Sequence, residues 1–137
     1  MTAAELVDGL FGSAAILAAE ILDGGEIFIA REIRSEWCPD VWRCGYVAFP
    51  GDPLDGVDCA EWISGAPVNG GVTFDREHSG HRVLGWDYNH GFNRGAEKCP
   101  GVDTLRDEAH ALVVWVRSGE WREGVRRDEI DADGVTL

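Results

Sequence analysis

The stretch that decides the fold is VNGGVTFDREHSGHRVLGWDYNHGFN, Val68 to Asn93. Residues 71–76 read as a strand, residues 77–80 as a turn around Ser79-Gly80, and residues 81–86 as a second strand, so the segment predicts a β-hairpin. The second strand runs straight into Trp86-Asp87-Tyr88-Asn89-His90-Gly91-Phe92-Asn93. Glycines, aromatics, a carboxylate, amides and a histidine crowd together there, in a segment too polar to be core. That mixture points to a ligand pocket or an active site.

Working outward, residues 26–34 alternate, with Ile27, Ile29 and Ile33 on one face of a strand. Residues 42–49 alternate too: Cys44, Tyr46 and Ala48 on one side, Gly45, Val47 and Phe49 on the other. The two predict an antiparallel pair. Residues 2–22 read as a helical segment, capped by Thr2 with Glu5 as its capping-box partner. Leu6, Leu10, Ile16, Leu17 and Ile21 mark its apolar side. Gly9 and Gly12 weaken its middle, which allows two short helices, and Gly24-Gly25 ends it. Residues 50–67, with three prolines, read as a long loop with one short helical turn at 59–63. Asp103 or Thr104 caps the clearest helix, which runs to Ser118; Leu105, Ala109, Leu112, Val113 and Val116 recur at helical spacing, and Gly119 closes it. A last strand is predicted over residues 121–126. The expected fold class is α+β: a small antiparallel sheet of four to five strands packed against an N-terminal helix and a helix near 104–118. The organisation is a single domain over 1–137, with a helical segment at 1–25, a core at 26–118 and an acidic tail at 119–137.

Twelve basic against 25 acidic residues give a formal charge of −13. Such a field repels a phosphate backbone, which excludes bulk nucleic-acid binding and favours basic partners. The N-terminus lacks the basic start of a signal peptide, and its apolar run is broken by Glu20 and glycines, so no membrane segment is expected. Cys38, Cys44, Cys59 and Cys99 show no CxxC spacing and are read as reduced thiols in a cytoplasmic protein.

Four constellations carry chemistry. Asp87-x-x-His90-x-x-Asn93 can converge just after a strand as metal ligands or as a carboxylate–imidazole pair; equally, Asp87 and Asn93 can hold the loop by Asx-type hydrogen bonds with His90 packed beneath it. Asn69-Gly70-Gly71 can offer backbone N–H groups to an anion, or simply form a turn into the strand. His78 and His81 have spacing that could suit a metal, or are exposed turn residues; His110 reads as structural. Six tryptophans supply stacking faces or packing; Trp115 reads as core, whereas Trp62 and Trp86 flank the candidate loops. No nucleophile elbow, phosphate-binding loop, dinucleotide fingerprint or HExxH is present, so no catalytic residue, metal or cofactor is assigned and enzymatic activity is not the first expectation.

Gly45-Tyr46-Val47 to Pro50, Pro53-Leu54, Asn69-Gly70-Gly71-Val72-Thr73-Phe74 and Gly85-Trp86-Asp87-x-x-His90, with the helix at 104–116, resemble a widespread family of small, mostly uncharacterised phage and prophage proteins. Members carry an HGG-[LIV]-T-[YF] strand followed by W-x-G-[FW]-D-x-x-H-x-G-D. The similarity covers residues 42–117. Two departures matter: Asn69 stands in the place of the family's histidine and Asn93 in that of its second aspartate. An amide keeps hydrogen-bonding capacity without a useful pKa, which favours binding over catalysis. The resemblance implies a phage accessory protein acting in the cytoplasm of an infected bacterium, in host takeover or anti-defence.

The expected function is therefore a non-catalytic binding protein that sequesters a small polar ligand, in particular a cyclic or modified nucleotide. Gly70 and Gly71 would give backbone donors, Thr73 lies in the same strand, and Trp86 or Tyr88 would give a stacking face. Asn69, Asp87, His90 and Asn93 would contact base or ribose, and Arg82 or Arg94 would pair with phosphate. A homo-oligomer is expected. The alternatives are an acidic inhibitor or nucleic-acid mimic docking on a basic host protein, and a metal-dependent hydrolase using Asp87, His90 and a histidine of the 78–81 turn.

Overall fold

Helix α1 spans Ala3–Phe11, and Thr2 caps it by accepting a hydrogen bond from the Glu5 amide. It stops at Gly12, whose φ of 63° takes the backbone out of the helix while its N–H returns to the Asp8 carbonyl. In the computed structural model, which describes residues 2–12, 15–36, 40–57 and 65–123, five strands follow: β1 (Ile16–Ile21), β2 (Ile27–Arg34), β3 (Val41–Pro50), β4 (Phe74–His78) and β5 (His81–Asp87). Helix α2 closes the fold at Val102–Arg117. The expected α+β class is what the chain adopts: one antiparallel sheet in the order β1-β2-β3-β5-β4, with a helix on each face.

The helical reading of residues 2–22 holds only to Phe11. Residues 16–21, ILAAEI, are an edge strand. Their alanines favour a helix in isolation, but Asp23-Gly24-Gly25 is a hairpin signal. Leu22 N donates to the Glu26 carbonyl and Gly25 N to that of Leu22, which folds β1 back onto β2. Two smaller corrections lie at the other end. Helix α2 begins at Val102 after Gly101, so neither Asp103 nor Thr104 is its cap. Residues 121–123 are helical rather than extended, with Trp121 buried in the core. The helical turn expected at 59–63 lies outside the described residues.

Strand alternation sorts the core into two layers. Phe28, Ala30, Val47, Phe49, Leu84 and Trp86 face α2, where Leu105, Ala109, Leu112 and Val116 meet them. Ile27, Ile29, Cys44, Tyr46, Ala48 and Val83 face α1, which contributes Leu6 and Val7. Two cross-strand pairs on β3 and β5 exchange bulk between these layers. Gly45 lies opposite Trp86 and Tyr46 opposite Gly85. A Cβ on Gly45 would overlap the Trp86 ring, and one on Gly85 would come within 2.5 Å of the Tyr46 ring. Each aromatic therefore lies flat over the other strand's glycine, one on each face.

Beside this pair the long loop is fastened. The Arg82 guanidinium meets Asp75 at 2.5 Å, Asp52 at 2.9 Å and the Val57 carbonyl at 2.5 Å. Hydrogen bonding to Asp75 raises the pKa of Arg82, which stays charged. No helix among the described residues is long and apolar enough to cross a membrane.

Candidate ligand-binding site

The two segments around Gly70 and His90 do come together, by gripping each other. Asn69 Nδ2 donates to the Asp87 carbonyl at 3.0 Å and to Asn93 Oδ1 at 2.9 Å. Asn93, buried, also accepts from the His90 amide. Glu108 of α2 ties both loops to the helix: it accepts from the Asn69 amide at 2.7 Å and from the Tyr88 hydroxyl at 2.5 Å. Burial and this carboxylate together raise the Tyr88 pKa. Gly70 has φ 72°, and a Cβ there would overlap the His90 imidazole, so the ring rests on the glycine backbone. Phe92 stacks on its outer side, with centroids 5.2 Å apart.

This cluster holds the loop as the Asx-type alternative for Asp87 and Asn93 expects, and it also brings the imidazole to the carboxylate, with His90 Nε2 3.6 Å from Asp87 Oδ1. The Asp87 carboxylate accepts from the Asn89 amide at 2.9 Å, an Asx turn, and from Thr73 Oγ1 at 3.0 Å. The amides of Asn69 and Gly71 are already used, by Glu108 and by the Val68 carbonyl, so these two do not contribute to an anion cradle. Trp86 is 1% exposed, packed in the α2-side core, and offers no stacking face. Arg82 belongs to the loop clamp described above. Arg94 is exposed at the start of a 3₁₀ turn, Gly95–Lys98.

The remaining histidines are dispersed. His78 packs beneath Gly9 of α1, His81 turns its Nδ1 to the Ser79 carbonyl, and His110, read as structural, lies on the exposed side of α2. No group of three or more His, Cys, Asp or Glu side chains able to hold a metal ion exists among the described residues.

One open recess, of about 350 Å³, lies beside the Arg82 clamp between Asp52, Asp75 and Glu77; a second lies on the other side of Asp87. Its side chain turns toward the α1 face, into a recess of about 190 Å³ walled by Trp42, Cys44, Tyr46, Thr73 and Phe74. In the sheet register Arg31 lies opposite Cys44, and Cys44 opposite Asp87. A guanidinium, a thiol and a carboxylate thus form one row across three strands, spanning two interstrand spacings of roughly 5 Å each. Arg31 sits over the Phe11 ring at 4.6 Å, and its Nε is buried without a hydrogen-bond partner. The Tyr46 hydroxyl stands beside both Arg31 and Cys44, and burial raises its pKa. Burial also pushes the Cys44 thiol up to about 11, so it is neutral near pH 7.

Of the residues singled out from the sequence, Thr73, Trp86 and Asp87 line this recess, while Asn69, Gly70, Tyr88, His90 and Asn93 form the brace behind it. Arg31, Trp42, Cys44 and Tyr46 were missed. The alternation of β3 placed Cys44 and Tyr46 on one face, but only the register of three strands brings them to Asp87. Compared with models of known families, with curated proteins and with solved structures, the chain matches none.

Proposed function

We propose that this chain is a non-catalytic binding protein that takes a small polar ligand into the recess on the α1 side of the sheet, its best-fitting class being a cyclic or modified nucleotide that inserts its base. The observation that carries this reading is the row Arg31–Cys44–Asp87 beside the aromatic walls of Trp42, Tyr46 and Phe74. A planar ring stacks on such walls. Asp87 accepts from a ring N–H edge, and Arg31, behind the recess wall, adds positive charge beside Cys44. The recess is smaller than the roughly 300 Å³ at which sites for drug-sized ligands begin, so the base enters and the remainder of the nucleotide stays at the rim. Chemistry is not favoured: the thiol is protonated, and Asp87 is held as an acceptor by Thr73 and Asn89. Sequestration of a nucleotide signal in an infected bacterium is the role that suits such a site and the phage-family resemblance.

Titration calorimetry against nucleobases, nucleosides and cyclic nucleotides tests this. Saturable binding is expected, with Asp87→Asn weakening it about tenfold or more, the worth of one charged hydrogen bond. Uniform absence of binding overturns the reading.

The charge of −13 favours a second reading, in which the acidic surface docks on a basic host protein. A partner captured from host lysate at low salt and released at high salt supports it.

A further inference from the structure

The two edges of the sheet are protected unequally. Edge strand β4 reads Phe74-Asp75-Arg76-Glu77-His78, and its charges discourage pairing with another chain. Edge strand β1 reads Ile16-Leu17-Ala18-Ala19-Glu20-Ile21 and carries neither Lys nor Pro. Its one charge, Glu20, points to the α2 face and is neutralised by Arg106 at 2.6 Å. Leu17, Ala19 and Ile21 are exposed, Ile21 by 65%. Leu22 N donates to the Glu26 carbonyl, so by alternation Ala18 and Glu20 bond inward to β2, while the backbone groups of Ala19 and Ile21 face the open edge; at Leu17 the register with β2 shifts by one residue in a β-bulge.

We propose that β1 pairs antiparallel with β1 of a second copy about a two-fold axis at Ala19, joining two five-stranded sheets into one. The charge pattern selects both the occupant and the register. For a chain of net charge −13, β1 is a segment whose only ionic group is already paired. Centring on Ala19 sets Leu17 of one copy against Ile21 of the other, and Glu20 against Ala18. Centring on Glu20 would oppose two carboxylates. The Ala19 axis also pairs Ala19, whose N–H and C=O groups point outward, with its own copy, so that the central pair exchanges both its backbone bonds, and it brings Ile21 of each copy alongside the bulge at Leu17 of the other.

Sedimentation velocity of the full chain tests the proposal. A dimer is expected that strengthens as salt rises, because screening relieves repulsion between two acidic copies. Ile21→Lys and Ala19→Pro should each give monomers at concentrations where the wild type is dimeric. The proline removes an outward N–H and leaves the β1–β2 ladder intact; circular dichroism checks folding, and Ile21→Lys decides if the proline variant does not fold. Hydrogen exchange should show concentration-dependent protection of the Ala19 and Ile21 amides. A wild type that stays monomeric, or a dimer that survives Ile21→Lys, overturns the proposal. Neither outcome bears on ligand binding in the recess.

Discussion

The two faces of the sheet solve the same packing problem and come out different. On the α2 side Trp86 lies over Gly45 within the larger hydrophobic cluster. On the α1 side Tyr46 lies over Gly85, and the next residues along the same strands are Cys44 and Asp87, with Arg31 beyond. α2 is a 16-residue helix that packs on β2 and β3, with Leu54, Val72 and Trp121 completing the layer; α1 has nine residues and leaves the Trp42–Asp87 end uncovered. A short helix on one side thus turns half of a sheet face into a wall of a recess. The polar row survives there because water or a ligand can satisfy it, which a dry core could not do.

The sharpest way to break this comparison is Gly45→Ala. Its Cβ has nowhere to go, since the Trp86 ring it meets is 1% exposed and sealed beneath α2. We expect a loss of about 3 kcal/mol by urea unfolding, at the upper end for overpacking. A loss below about 1 kcal/mol would mean that the α2-side core yields and is not close-packed around Trp86. Gly85→Ala should cost less, about 1–2 kcal/mol, because the Tyr46 ring borders the recess and can shift into it. That shift should also weaken ligand binding, which Gly45→Ala should do only in proportion to the unfolded fraction.

The smallest effect concerns Cys44. With its pKa near 11, about one thiol in a thousand is ionised at pH 8. Alkylation followed by mass mapping should find the partly exposed Cys99 labelled well before Cys44. The sign for stability follows from the raised value. The unfolded chain loses this proton first, above about pH 9, so the contribution of the neutral thiol fades as pH rises from 9.0 toward about 11. Cys44→Ala should remove that part of the alkaline slope, and an unchanged slope would assign it elsewhere.

Much of the fold was legible where alternation and turn chemistry agree. The strands at 27–34 and 41–50 were readable from alternation, and Ser79-Gly80 marked the hairpin of β4 and β5, although β4 runs over 74–78 instead of the expected 71–76. Helix α2 was readable from Leu105, Ala109, Leu112 and Val116. β1 was not, because Ala18, Ala19 and Glu20 carry helical propensity and an edge strand is decided by its neighbour. The brace around Asn69 and Asn93 was half legible: their amides marked a polar cluster, yet nothing local told whether they would bond a guest or each other. The row through Arg31, Cys44 and Asp87 was invisible, since it joins three strands whose register no short motif encodes.

Glu108 has a wider consequence. One carboxylate on α2 anchors the chain at Asn69 and at Tyr88, on either side of the hairpin that ends in Asp87. The rim of the recess is thereby geared to a helix lying on the opposite surface of the molecule. Whatever tilts α2, even a protein leaning on its exposed Val114, would be felt at the mouth of the pocket without touching it.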